Sequence, residues 1–159
     1  MPYSLAKIPI PVVLMVLMTS NLSTDLAATW NTVAMNAGEV AELIERYNGA
    51  WNRQDIDTIH ELHHPEIVFD NHTVEERAVG ADAVREHIAA IFRNNPTMSF
   101  RTRSLHAGED FAVCEWTLNV EKDGRKLEWD GVDVFPIRNG LIARKDVYSA
   151  SHRPREQKG

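Results

Sequence analysis

Cys114 is the only cysteine among the 159 residues, so no internal disulfide is available and the fold must rest on packing. Such a chain suits a reducing compartment, and a cytoplasmic location is the expectation. Runs of like charge are also missing, and a net charge of −6 with scattered basic groups excludes nucleic acid and anionic membranes as expected partners. The longest apolar run, Ile8 to Met18, falls well short of the roughly 20 residues that a membrane-spanning helix needs. Because Lys7 precedes it, that run resembles the start of a signal peptide, with secretion as the alternative location. Pro9 and Pro11 interrupt it, however, and Thr19 to Ala28 offers no small-x-small cleavage site. The simpler expectation is an extension upstream of a true start at Met15, Met18 or Met35. Glycine-rich phosphate loops, a Ser/His/Asp arrangement, internal repeats and low-complexity tracts are all lacking. Residues 1–35 are therefore expected to be an N-terminal extension, 36–152 one domain, and 153–159 a polar tail.

What is present is ordinary globular material: 43% apolar residues beside 25% charged ones are enough for one domain with a real core. Val40, Leu43, Ile44, Tyr47 and Trp51 recur at three- and four-residue steps, which predicts an amphipathic helix over Ala37 to Asn52. Asp55 opens a second helix with Ile56, Ile59 and Leu62 inward, and Pro65 is expected to end it by breaking the hydrogen-bond ladder. Ile67 to Phe69 reads as a short strand, and Ala81 to Arg93, following Gly80, as a third helix with Val84, Ile88, Ile91 and Phe92 inward. From there the period changes to two, predicting strands near 98–106, 111–121, 126–137 and 141–149. Asp123-Gly124 and Asn139-Gly140 are strong hairpin signals, because a type I′ turn needs positive φ at both central residues. Helices first and a meander afterwards define the α+β class rather than a chain of βαβ units.

Two-residue turns without a bulge would also fix which side chains share a face. Around Asp123-Gly124, Val120 faces Leu127, Leu118 faces Trp129, Trp116 faces Gly131 and Cys114 faces Asp133. That face is apolar except for Asp133, so it is the one expected to meet the helices. Around Asn139-Gly140 the same rule pairs Ile137 with Ile142, Phe135 with Arg144, and Asp133 with Asp146. Asp133 is thus predicted on an aromatic-lined inner face, where desolvation disfavours its charged form. It is a candidate functional carboxylate, and a salt bridge with Arg144 is the structural alternative. In the earlier strand, alternation groups Phe69 with Asn71 and Asp70 with Val68 and His72, without choosing which group points inward.

The stretch Glu45-Arg46-Tyr47-Asn48-Gly49-Ala50-Trp51-Asn52 resembles the first-helix segment of ketosteroid isomerases, Val68-Phe69-Asp70-Asn71 is similar to one of their strands, and Gly124 to Phe135 matches their later spacing. The resemblance extends over about residues 37–150 and takes in the wider SnoaL-like group of the nuclear transport factor 2-like superfamily. It implies three N-terminal helices on a curved, mostly antiparallel sheet of four to six strands, a cone-like α+β barrel around a small-molecule pocket, and commonly a homodimer. It also implies Tyr47, Asp70 and Asp133 as catalytic residues, with Asp70 shuttling a proton and the other two donating hydrogen bonds to an enolate oxygen. Phe69, Asn71, Trp116, Trp129, Phe135 and Asp146 would line the pocket. The implied activity is cofactor-free isomerisation or cyclisation of an apolar, steroid-like or polyketide-like carbonyl compound. The alternative is a non-catalytic small-molecule-binding or dimerisation module. Asn71-His72 stands where the isomerases usually have a proline after the aspartate. Limonene-epoxide-hydrolase relatives carry an aromatic residue and an asparagine at the Phe69 and Asn71 positions. They also need an arginine and an aspartate where this chain has Trp116 and Leu118, which ranks hydrolysis third.

His60-Glu61-Leu62-His63-His64 matches the H-E-x-x-H zinc pattern, but Pro65 stops the helix at once and no third ligand follows, so no metal is expected. His63 lies nearest the apolar stripe. Cys114, on the predicted core face without a catalytic partner, is expected to be a packed, inert thiol.

Overall fold

The structure, a computed structural model, describes residues 34–150 and the backbone of Arg155–Glu156. The apolar run Ile8 to Met18 and most of the polar tail lie outside the described residues.

Helix α1 spans Ala37–Arg53. It opens on a capping box in which Asn36 Oδ1 accepts from the Glu39 amide at 3.0 Å and Glu39 accepts from the Asn36 amide at 2.8 Å. Its buried stripe is Val40, Ile44, Tyr47, Ala50 and Trp51. Helix α2, Ile56–Glu61, is capped by Asp55 and is shorter than predicted. It stops at Glu61, and strand β1 begins at His63 and runs to Asn71, carrying Pro65 in a stretch of irregular pairing. Pro65 thus marks irregular strand, not the helix end itself. Strand β2, Glu76–Val79, is a four-residue antiparallel partner of β1 whose Glu-Arg-Ala-Val sequence shows no alternation to reveal it. Helix α3, Ala81–Asn94, buries Val84, Ile88 and Phe92. The meander follows as β3 (Ser99–Ala107), β4 (Phe111–Lys122), β5 (Arg125–Arg138) and β6 (Leu141–Ser149). Asp123, Gly124, Asn139 and Gly140 all have φ between 53° and 75°, as the two tight turns require.

The strands order as β2-β1-β6-β5-β4-β3 in one open mixed sheet, with β1 parallel to β6 and the other neighbours antiparallel. A two-residue strand β7, Arg155–Glu156, pairs with the start of β5. The helices cover one face, and the core between them and the sheet includes Tyr47, Ile59, Ile67, Ile88, Phe135 and Ile142.

The first hairpin keeps the predicted register throughout, including Leu118 opposite Trp129, Trp116 opposite Gly131 and Cys114 opposite Asp133. The second does not. Ile137 faces Ile142 as predicted, but the register shifts before Val134, so that Val134 faces Asp146 and Asp133 faces Val147. Three residues of β6, Ala143 to Lys145, span the two of β5, Phe135 and Pro136. Proline has no amide hydrogen for the ladder, and a proline in a central strand is accommodated at such a bulge. The extra residue turns β6 over: Ile142, Lys145 and Val147 face inward, whereas Arg144 and Asp146 face out. The expected pairing of Asp133 with Asp146, and of Phe135 with Arg144, is corrected accordingly.

Gly131 is required by the Trp116 ring opposite, which occupies the space where a β-carbon would lie. Gly131→Ala is therefore expected to cost about 1–3 kcal/mol through overpacking, read as a lowered midpoint in urea denaturation.

Candidate functional site

Between the helices and the inner face of the sheet lies a cavity of about 210 Å³. Five of the nine residues proposed from sequence line it: Phe69, Asn71, Trp116, Trp129 and Asp133. Trp51, Phe100, Met98, Leu118 and Val147 complete most of its apolar wall, with Glu76, Asn95 and Ser149 among its polar groups. Trp51 meets Phe92 and Phe100 edge-on, at 5.2 and 5.8 Å between ring centroids, and Phe100 meets Trp116 at 5.5 Å. Such edge-to-face packing fixes the rings.

The residue that sequence reasoning missed is Lys145. It is 6% exposed, lines the cavity, and donates to Asp133 Oδ2 in a buried ion pair. Its ammonium stands over the rings of Phe135, Trp51 and Tyr47 at 4.9, 5.3 and 5.9 Å from their centroids, within cation–π range. Asp133 itself is 4% exposed, and its second oxygen, Oδ1, is buried without a hydrogen-bond partner among the described residues. The inward position of Asp133 thus agrees with prediction, but its partner is Lys145 rather than Arg144 or Asp146.

The other four residues lie elsewhere. Tyr47 and Phe135 are fully buried beside each other, ring centroids 5.7 Å apart, and neither lines the cavity. The Tyr47 hydroxyl shares a 3.0 Å hydrogen bond with His63 Nε2, and burial, followed by the negative charge of Asp133, holds the phenol far above its ordinary range. Asp70 and Asp146 are on the outer face, aligned side by side by the parallel β1–β6 register. Arg144 binds both, at 2.9 Å to Asp70 and 2.6 Å to Asp146 Oδ2, and His72 Nε2 lies 2.7 Å from Asp146 Oδ1. Partial burial works against the charge on Asp146, but the bonds from Arg144 and His72 win and hold its carboxyl below the usual range. The alternation left open at Phe69–Asp70 resolves with Phe69 and Asn71 inward. Asp70 does not share a site with Tyr47 and Asp133.

Asp70, His72 and Asp146 form the one grouping among the described residues whose ligand atoms all lie within 4.8 Å of one another, as metal binding would need. Arg144 already pairs with both of its carboxylates, and Arg77 Nη1 lies 3.5 Å from Asp70. The H-E-x-x-H segment has no helical ligand pair, because α2 ends at Glu61. His64 Nδ1 instead lies 2.8 Å from Arg138 Nη2. Cys114 is buried, and desolvation pushes its thiol up, away from the reactive thiolate.

His63 is the other functional-looking group that burial explains. It is 4% exposed, and desolvation, helped by the positive charge of Lys145, pulls its imidazole down from 6.5 to about 3. An unfolded chain binds that proton near its ordinary pKa, so between those two values the unfolded state holds more protons than the folded one. Stability contributed by neutral His63 is thus complete above the upper value and is lost as pH falls, at about 1.4 kcal/mol per pH unit at the steepest. His63→Gln should flatten this part of the acid limb when the urea midpoint is followed against pH.

An open mixed sheet with three helices on one face and a cavity between them is the cone-like α+β fold found in nuclear transport factor 2-like proteins. The SnoaL-like domain model matches residues 44–145, and the chain belongs to that family. Among solved structures it is similar to a candidate ketosteroid isomerase from Kribbella flavida, with 14% identity, 75% of this chain and 83% of that one covered, and a TM-score of 0.64. A candidate SnoaL-like polyketide cyclase from a Jannaschia species gives 17% identity, 72% and 87% coverage, and a TM-score of 0.65. The protein TerC, crystallised with polyporic acid, gives 19% identity, 70% and 91% coverage, and a TM-score of 0.62. At these identities the likeness concerns the fold. No curated protein matches the chain by sequence.

Proposed function

We propose that this SnoaL-like domain binds a flat, apolar carbonyl compound in the cavity and moves a proton on it, in an isomerisation or a ring closure. The observation that carries this reading is the Asp133–Lys145 pair in the wall of a largely apolar cavity, with one carboxylate oxygen left without a protein partner among the described residues. A carboxylate in the wall of a cavity can take a proton from a bound ligand, and an ammonium beside it stabilises the negative oxygen of an enolate. Asp133 is the base and Lys145 the oxyanion partner in this scheme. Asp70, held by Arg144 on the other face, takes no part.

Size narrows the substrate. A closed cavity of about 150 Å³ holds one benzene ring, so the 210 Å³ here has room for one or two fused rings. The candidate polyketide cyclase and the polyporic acid complex among the similar structures are in keeping with a flat ligand. A second reading, binding without turnover, is favoured by the absence of the expected base Asp70 from the cavity wall. One assay separates the two. 2-Tetralone, a two-ring ketone, should raise the melting temperature of the protein and should exchange its α-hydrogens for deuterium in D2O faster with the protein than without it. Stabilisation without accelerated exchange would favour the binding module, and neither effect would refute both readings for this ligand class.

A further inference from the structure

We propose that Lys145 is a nucleophilic amine, which captures the carbonyl carbon of an aromatic aldehyde or ketone as an iminium ion. This inference deepens the reading above and rests on it, because it uses the same cavity and the same carboxylate.

Three features of the structure converge on it. Lys145 reaches the cavity wall from the bulge in β6 while remaining 6% exposed, so its amine has little contact with bulk water. Its partner Asp133 is equally buried and has a free oxygen, Oδ1, so the pair contains both an acceptor for the lysine proton and a group able to return it. The surrounding Phe135, Trp51 and Tyr47 rings, 4.9 to 5.9 Å from Nζ, favour a cation at this position, and an iminium carries that charge as an ammonium does. A desolvated amine beside a general base is the arrangement that lysine catalysis of carbonyl chemistry requires. For packing alone, two apolar side chains would fill the same space without the desolvation cost of two buried charges.

The steps balance within the pair. Lys145 passes a proton to Asp133, and its lone pair forms a C–N bond while the carbonyl π electrons move to oxygen. Asp133 protonates that oxygen and then takes a proton from the new ammonium nitrogen, leaving a neutral carbinolamine. Asp133 next protonates the hydroxyl, water leaves, and the nitrogen lone pair closes the C=N bond. The products are one iminium, one water and the Asp133 carboxylate. That carboxylate can then remove an α-proton, with the C–H electrons flowing into the iminium to give an enamine.

The test uses 2-naphthaldehyde and sodium cyanoborohydride, which delivers hydride to an iminium carbon and makes the adduct permanent. Peptide mapping of the full chain should find one naphthylmethyl group on Lys145 at low aldehyde concentration, ahead of the exposed lysines Lys122 and Lys126. An excess of 2-tetralone should suppress it. Lys145→Arg, which keeps the positive charge beside Asp133, should lose this adduct while the exposed lysines label as before. If 2-naphthaldehyde stabilises the protein against heat, or 2-tetralone exchanges its α-hydrogens, while Lys145 stays unmodified, the iminium proposal is overturned and the acid/base reading stands. If neither compound binds and Lys145 is unmodified, both fall together. Should Lys145→Arg unfold, tetralone protection of Lys145 in the parent protein decides the matter, and labelling indifferent to tetralone overturns the proposal.

Discussion

Asp133→Leu is expected to destabilise the domain by about 3–5 kcal/mol, because it leaves the Lys145 ammonium buried with no counter-charge. Lys145→Met should cost a similar amount, stranding the Asp133 carboxylate. Both groups are so little exposed, at 4% and 6%, that solvent cannot screen the loss. The double variant Asp133→Leu/Lys145→Met should recover most of it, since replacing a whole buried pair by apolar side chains is often neutral or stabilising. Urea denaturation of the four proteins closes a double-mutant cycle whose coupling term isolates the pair. Losses that simply add would show that the two charges do not depend on each other. The recovered double variant should fold without any proton-transfer activity, which separates the pair's role in chemistry from its role in packing.

That pair is also where the sequence was hardest to read. The first hairpin was fully legible, because Asp123-Gly124 leaves a two-residue turn no freedom and period-two alternation carries the register from Val120 to Cys114. The second hairpin begins with an equally clear Asn139-Gly140 turn, and Ile137 does face Ile142. Simple alternation then fails within three residues. Pro136 was the visible signal: a proline inside a central strand calls for a bulge, and a bulge inverts every later side chain on the longer strand. Taken into account, it would have moved Arg144 and Asp146 outward and brought Lys145 inward. The Phe69–Asp70 ambiguity has a different origin. Both faces of β1 carry apolar residues, and only the parallel pairing with β6, invisible in local pattern, fixes Phe69 beside Lys145 and Asp70 beside Asp146. The short strand β2 lacks any periodic mark. Tyr47 lies in the buried stripe of α1, as its spacing predicts, yet its hydroxyl turns to His63, a contact between residues 16 apart that a helix running on to Pro65 does not suggest.

The second large effect concerns chemistry. Asp133→Asn preserves the size and planarity of the side chain but removes its capacity to take a proton, so the proposed protein-dependent α-hydrogen exchange should fall by about 10²–10⁴. Asp70→Asn changes a carboxylate that is tied to Arg144 on the far side of the sheet, and exchange should stay near the parent rate even if the outer ion-pair network weakens. Circular dichroism and the melting temperature of each variant guard against unfolding as the cause.

The most direct test of the account is therefore the ratio of 2-tetralone α-hydrogen exchange rates, followed by NMR in D2O, for Asp133→Asn and Asp70→Asn measured side by side. With the working carboxylate on the cavity wall beside Lys145, exchange collapses in Asp133→Asn and persists in Asp70→Asn. The reverse pattern, with Asp70→Asn inactive and Asp133→Asn close to the parent, would contradict it.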